Sequence, residues 1–184
     1  MLTIAVVVIV TAAIAVLRGG SLHALAATRV RWLWIVYVAF VVQLGASLWS
    51  PDWLTDTGAL VVVLGSNTAI AAFLLLNRHL PGTAIAAVGL ALNIVVIAAN
   101  GAMPVSERAV EIAGTGSITE DAGVKHERLD DSTVLPWLAD VIPVPLFRTI
   151  ISVGDVVLAI GIAYFVFAQS MSERRSERPV EGSG

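Results

Sequence analysis

Ile150-Ile151-Ser152-Val153-Gly154-Asp155-Val156-Val157-Leu158-Ala159-Ile160-Gly161-Ile162-Ala163-Tyr164-Phe165-Val166-Phe167-Ala168 decides the fold of this chain. The run is close to the ~20 residues that cross ~30 Å of hydrocarbon as a helix. It holds one charged residue, Asp155, just inside its start. A carboxylate costs about 2.5–3.5 kcal/mol at the centre of a membrane helix on insertion scales, and less near an end. A residue kept at that cost faces a protein interior or a wet cavity, so Asp155 is a candidate functional residue.

Working outward, four more runs share this character: Leu2–Leu17, Trp32–Trp49, Gly58–Leu76 and Thr83–Ala99. Helix is the viable form for each, because an open strand in lipid leaves backbone groups unpaired. The apolar/polar alternation of a membrane barrel is absent. The expected fold is therefore all-α, a polytopic membrane bundle of five spans. The spans and their connections, residues 1–169, form one domain, and the Ser-, Glu- and Arg-rich tail 170–184 is expected to be a disordered cytoplasmic extension. The first run has no basic segment before it, so a cleavable signal is not expected.

Composition agrees. Of 184 residues, 57% are hydrophobic and 14% charged, and mean hydropathy is +0.86. An average soluble domain carries about 25% charged residues. There are no cysteines, which excludes disulfides and thiolate chemistry. No basic patch interleaved with aromatics suggests nucleic acid. No cofactor motif is present, and no second histidine stands at metal-ligand spacing from His126.

The basic residues set an orientation. Arg18, Arg29 and Arg31 lie in the first connection, Arg78 in the third, and Arg174, Arg175 and Arg178 in the tail. The second connection, Ser50–Thr57, holds Asp52 and Asp56 and no Lys or Arg. The positive-inside rule then puts the N-terminus outside and the C-terminus in the cytoplasm of a multi-pass protein of the cell membrane. The ~50-residue connection 100–149 falls outside, and its length exceeds that of a passive turn. Trp32 and Trp34 at one end of the second span, and Trp49 and Trp53 at the other, suit interfacial belts.

Within the outer loop, Ser106 as N-cap and Gly114 as stop predict a short helix over Glu107–Ala113. Gly114–Gly123 is expected to be flexible. Leu135–Phe147 is apolar but broken by three prolines, so it cannot be one long helix. It is expected to fold back as a cap, with Trp137 and Phe147 as anchors.

Four segments carry a family resemblance: Asn100-Gly101-Ala102-Met103-Pro104-Val105, Lys125-His126, Leu135-Pro136-Trp137-Leu138-Ala139-Asp140-Val141-Ile142-Pro143, and Ser152-Val153-Gly154-Asp155. Together they resemble the bacterial DUF5317 family. That resemblance implies a small five-span membrane protein and brings no known activity with it. The last two spans are more distantly similar to lipoprotein signal peptidase. Asp155 matches that family's carboxylate at the start of its last span. The pattern departs at Asn100-Gly101, which is followed by Ala102-Met103-Pro104 and no aspartate.

Polar residues inside the spans mark where chemistry could sit. Gln43 lies in the outer half of the second span, and Ser66 and Asn67 lie near the middle of the third. Asn93 and Asn100 are seven apart on one face of the fourth. If these faces converge with Asp155, they line a polar pocket opening outward under the loop, within reach of Lys125 and His126. Asp155 is expected to pair with Lys125, His126 or Arg148, since an intramembrane carboxylate seeks a cation or donor. Each residue also has a structural role open to it. Span amides hydrogen-bond neighbouring helices, Asp155 can cap its own helix, and Gly58/Gly65 and Gly82/Gly89 suit close helix packing.

The leading functional expectation is a non-enzymatic protein whose outward pocket binds a lipid, a small molecule or a membrane partner. Membrane lipids, another membrane protein or a second copy of the chain are the expected partners. The alternative is a membrane aspartyl hydrolase. It needs two carboxylates sharing a proton, and Asp140 or Asp131 could join Asp155 only if the loop folds inward. A transporter component is a third class, although five spans without a repeated half argue against a self-contained one.

Overall fold

The structure, a computed structural model, describes residues 2–48, 56–115 and 126–172. The expectations for Lys125, Trp49, Trp53, most of the second connection, the 116–123 stretch and the tail beyond Ser172 lie outside the described residues. The described chain is mostly helical, with two small two-stranded sheets. Its helices are α1 (Leu2–Leu17), α2 (Leu22–Ala26), α3 (Trp34–Leu48), α4 (Asp56–Leu76), α5 (Thr83–Asn100), α6 (Glu107–Ala113) and α7 (Val153–Ser170). Three stretches are long and apolar enough to cross a membrane: Thr57–Leu76, Thr83–Asn100 and Val153–Ser170. Two shorter apolar helices, Ala5–Leu17 and Trp34–Ala46, accompany them.

The long helices pack in the order α1, α7, α5, α4, α3, so α5 and α7 form the centre. Glycines bring these two together. A Cβ on Gly161 would strike the backbone N of Ala86 and lie 2.7 Å from the carbonyl oxygen of Gly82. One on Gly89 would strike the backbone N of Leu158. Close backbone approach through small residues is the main source of packing where lipid removes the hydrophobic drive between helices. The expectation for Gly82 and Gly89 fits this contact. Gly65 differs, since a Cβ there meets nothing within 4 Å.

Two helix starts fall later than the apolar runs suggest. Trp32 adopts a left-handed backbone (φ 62°), so α3 begins at Trp34 rather than at Trp32. The expected start of the last span at Ile150 is also displaced. Thr149–Ile151 is a strand, and α7 begins after Ser152. Three consecutive β-branched residues favour extended backbone, and Ser152 then caps the helix.

Between α5 and α7 the chain builds a cap over one end of the bundle. Strand β1 (Met103–Val105) pairs in parallel with β2 (His126–Arg128), and Val105 bridges Asp140 in the same sense. Strand β3 (Ile142–Val144) pairs antiparallel with β4 (Thr149–Ile151), Ile142 facing Ile151. Single 3-10 turns at Pro136–Leu138 and Pro145–Phe147 fill the proline-rich stretch. Helix α6 forms as expected, with the Ser106 hydroxyl accepting from Ala109 N–H and Gly114 ending it at φ 65°. Buried Met103 and Leu138 from the cap meet Val96 and Ile97 of α5 in one apolar cluster.

Candidate functional site

The first turn of α7 carries a capping box. The Ser152 hydroxyl accepts from the Asp155 N–H (3.0 Å), and Asp155 Oδ2 accepts from the Ser152 N–H (3.1 Å). Two helix-end donors are satisfied reciprocally, in the S-x-x-D form of the motif. Asn93 reaches across from α5 and closes a ring. Its Nδ2 donates to Asp155 Oδ1 (2.8 Å), and its Oδ1 accepts from the Ser152 hydroxyl (2.9 Å). Gly154 makes the approach feasible, because a Cβ there would strike Asn93 Oδ1.

Asp155 therefore has both oxygens engaged by neutral donors and does not pair with Arg148 as expected. Arg148 instead donates from Nε (3.0 Å) and Nη2 (2.7 Å) to the Gly114 carbonyl, tying the end of α6 to the turn before β4. The backbone of His126 lies in β2, while its side chain, like Lys125, is outside the described residues. Asn100 is a clamp of a different kind. Its Nδ2 donates to the carbonyls of Val96 and Val134 (both 2.9 Å), and its Oδ1 accepts from the Val134 N–H (2.8 Å). It fixes the cap to the end of α5.

Asp140 sits in the cap segment next to β1. Its N–H donates to the Pro104 carbonyl (2.9 Å) and its carbonyl accepts from the Ser106 N–H (3.0 Å). The side chain is 8% exposed, and Oδ1 has no hydrogen-bond partner. Burial first, and the charge of Asp155 second, push its carboxyl up to about 7. Asp140 is thus buried within the cap, whereas Asp131 stays exposed.

A separate group lies lower in the bundle. Gln43 Nε2 donates to the Ser66 hydroxyl (2.7 Å) and to Asn67 Oδ1 (3.2 Å), joining α3 to α4. Gln43 and Asn67 stand at the inner end of a slot of about 400 Å³ between α3, α4, α5 and α7. The slot runs from mid-height to the end of the bundle opposite the cap, past Ile70, Phe73, Leu90 and Phe165. Its lining is almost wholly apolar. Asn77 closes the far end. Fully buried, it accepts from the Arg31 N–H (2.8 Å) and donates to the Arg31 carbonyl (2.9 Å), pinning the start of the second run to the end of α4.

The expected single outward pocket is thus resolved into separate groups. Asn93 and Asp155 meet each other, Asn100 meets the cap, and Gln43 and Asn67 border the apolar slot. Ser152, the third member of the ring, and Asn77, the floor of the slot, were not among the site residues expected from the sequence. Ser152 was visible as a Ser three residues before an acid. Asn77 was visible as the first polar residue after an apolar run.

Residues 27–167 match DUF5317, a family of unknown function. The chain is also 32% identical over 114 residues to an uncharacterized protein of Thermotoga maritima, a match that covers 59% of this chain and 65% of that relative. No solved structure matches the chain. The chain belongs to the DUF5317 family.

Proposed function

We propose that this DUF5317 member is a multi-pass protein of the cell membrane that holds the apolar chain of a membrane lipid in the slot between α3, α4, α5 and α7. The observation that carries this is the slot itself. Its volume, about 400 Å³, falls within the roughly 300–1,000 Å³ of ligand pockets, which are mostly apolar with a few placed polar groups. Gln43 and Asn67 are the polar groups at its inner end. Asn77, Asn93, Asn100 and Ser152 are spent on holding helices and cap together, which favours an apolar occupant over a polar solute.

In this reading α1 and α3 join the three longer helices as spans, giving five in all. The N-terminus lies outside, the cap lies on the outer face, and the slot lies in the cytoplasmic half of the bilayer. The absence of Lys and Arg from the second connection and their presence in the first, third and tail support that orientation. α1 and α3 are shorter than an ideal span, which local thinning of the bilayer accommodates.

Native mass spectrometry in mild detergent tests the slot. The wild type is expected to carry a discrete lipid mass, and Ile70→Trp, which fills the slot, is expected to lose it while staying monodisperse. Equal occupancy in both proteins would refute the assignment.

One observation favours hydrolysis as a second reading, namely that Asp140 is buried within electrostatic reach of Asp155. Aspartyl chemistry uses such pairs. Loss of turnover of a lipid-linked substrate in both Asp155→Asn and Asp140→Asn would sustain it. Turnover surviving both changes would end it.

A further inference from the structure

The two ends of the slot differ in what their polar atoms do. At the end opposite the cap, both polar side chains are spent. Asn77 accepts from the Arg31 N–H (2.8 Å) and donates to the carbonyls of Arg31 and Phe73 (both 2.9 Å). The Thr83 hydroxyl donates to the carbonyls of Asn77 and Leu80 (both 2.8 Å).

The inner end is left half-paired. The Ser66 hydroxyl gives its one proton within α4, to the Val62 carbonyl (2.6 Å), so toward Gln43 it can only accept. That turns Gln43 Nε2 toward Ser66, and Nε2 also donates to Asn67 Oδ1. Gln43 Oε1, an acceptor, and Asn67 Nδ2, a donor, remain. Neither has a hydrogen-bond partner among the described residues, and both side chains line the slot.

We propose that the slot takes a single-chain lipid, polar end first: a neutral hydroxyl or un-ionised carboxyl accepts from Asn67 Nδ2 and donates to Gln43 Oε1, and the chain runs from there toward Asn77. This rests on the reading of the slot as a lipid site and adds the class of lipid and its direction. A chain entering methyl end first would set a group without donors or acceptors against the two amides and leave both free atoms unpaired, which is costly away from water. An ionised end would be a buried charge without a counter-ion, since among the described residues lining the slot none is charged. Helix α4 rises about 1.5 Å per residue, so the stretch from Asn67 to Asn77 offers the chain about 15 Å.

Two photoactivatable dodecanols test the direction, one with its reactive group beside the hydroxyl and one with it at the methyl end. Each is cross-linked to the full-length protein in lipid nanodiscs. The first is expected to label Gln43, Asn67 and Leu90, and the second Phe73, Leu74 and Leu80. The reverse order would overturn the proposal and leave a slot that holds lipid. Labelling of neither set by either probe would remove the slot reading and the proposal with it.

Unlabelled dodecanol, dodecanoic acid and dodecane then compete with the probes. The better of the two oxygenated compounds is expected to outcompete dodecane by roughly tenfold, the size of one to two net hydrogen bonds. Which of them leads tells a long-chain alcohol from a fatty acid. Dodecane competing equally well would overturn the proposal. Asn67→Leu is expected to abolish the advantage over dodecane while dodecane still competes, and an advantage retained in that variant would contradict the assignment. The wild-type series stands even if Asn67→Leu does not fold.

Discussion

Asp155 shows how one residue carries two meanings in a sequence. As a charge inside an apolar run it marks a site, and as the third residue after Ser152 it marks a helix start. The structure gives it the second role and adds Asn93 as a partner from another helix. Ser152→Ala removes the cap and leaves the Asn93 oxygen without its donor. It is expected to cost about 0.5–2 kcal/mol, read as a lower melting temperature in detergent; an unchanged melt would mean that the ring is not structural. The capping half of this arrangement was legible, because it lies within four residues. The Asn93 half was not, because it depends on the rotational phase of α5 against α7 across 62 positions of sequence. The role of Asn100 was misjudged for a similar reason. Seven residues from Asn93, it shares that residue's face, yet it sits at the end of α5, where the returning loop claims it.

At the scale of elements, hydrophobic runs located the helices well and their ends less well. A run of apolar residues looks the same in a strand and a helix when it is short. Thr149–Ile151 therefore merged with α7 in the sequence, although it pairs with Ile142–Val144. The helix contacts depend on glycine at particular faces, which composition does not reveal. Gly161→Ala forces a Cβ against the backbone of α5 and is expected to destabilise the bundle by about 1–3 kcal/mol. Gly65→Ala points into open space and is expected to be neutral or to gain up to about 1 kcal/mol from helix propensity. Thermal unfolding of the two variants side by side checks this. Equal losses would show that α5 and α7 are not in close backbone contact.

For the whole molecule, helices long and apolar enough to cross a membrane were legible in the sequence, because they follow from composition and length. The slot was not, because it lies between four helices, and no local pattern encodes how those four pack together. The proposed orientation is open to a direct check, since the chain has no cysteines of its own. His79→Cys lies in the third connection and Ser132→Cys in the cap, both at exposed positions. In intact cells an impermeant thiol reagent is expected to label position 132 and spare position 79; the reverse pattern would invert the protein in the membrane. The central claim, a lipid chain within the bundle, is tested most directly by a lipid carrying a photoactivatable group along its acyl chain, incorporated into membranes with the wild-type protein. The account predicts cross-links concentrated at slot residues such as Ile70, Leu90 and Phe165. Cross-links confined to outward-facing positions such as Val61, Val88 and Ile160 would contradict it.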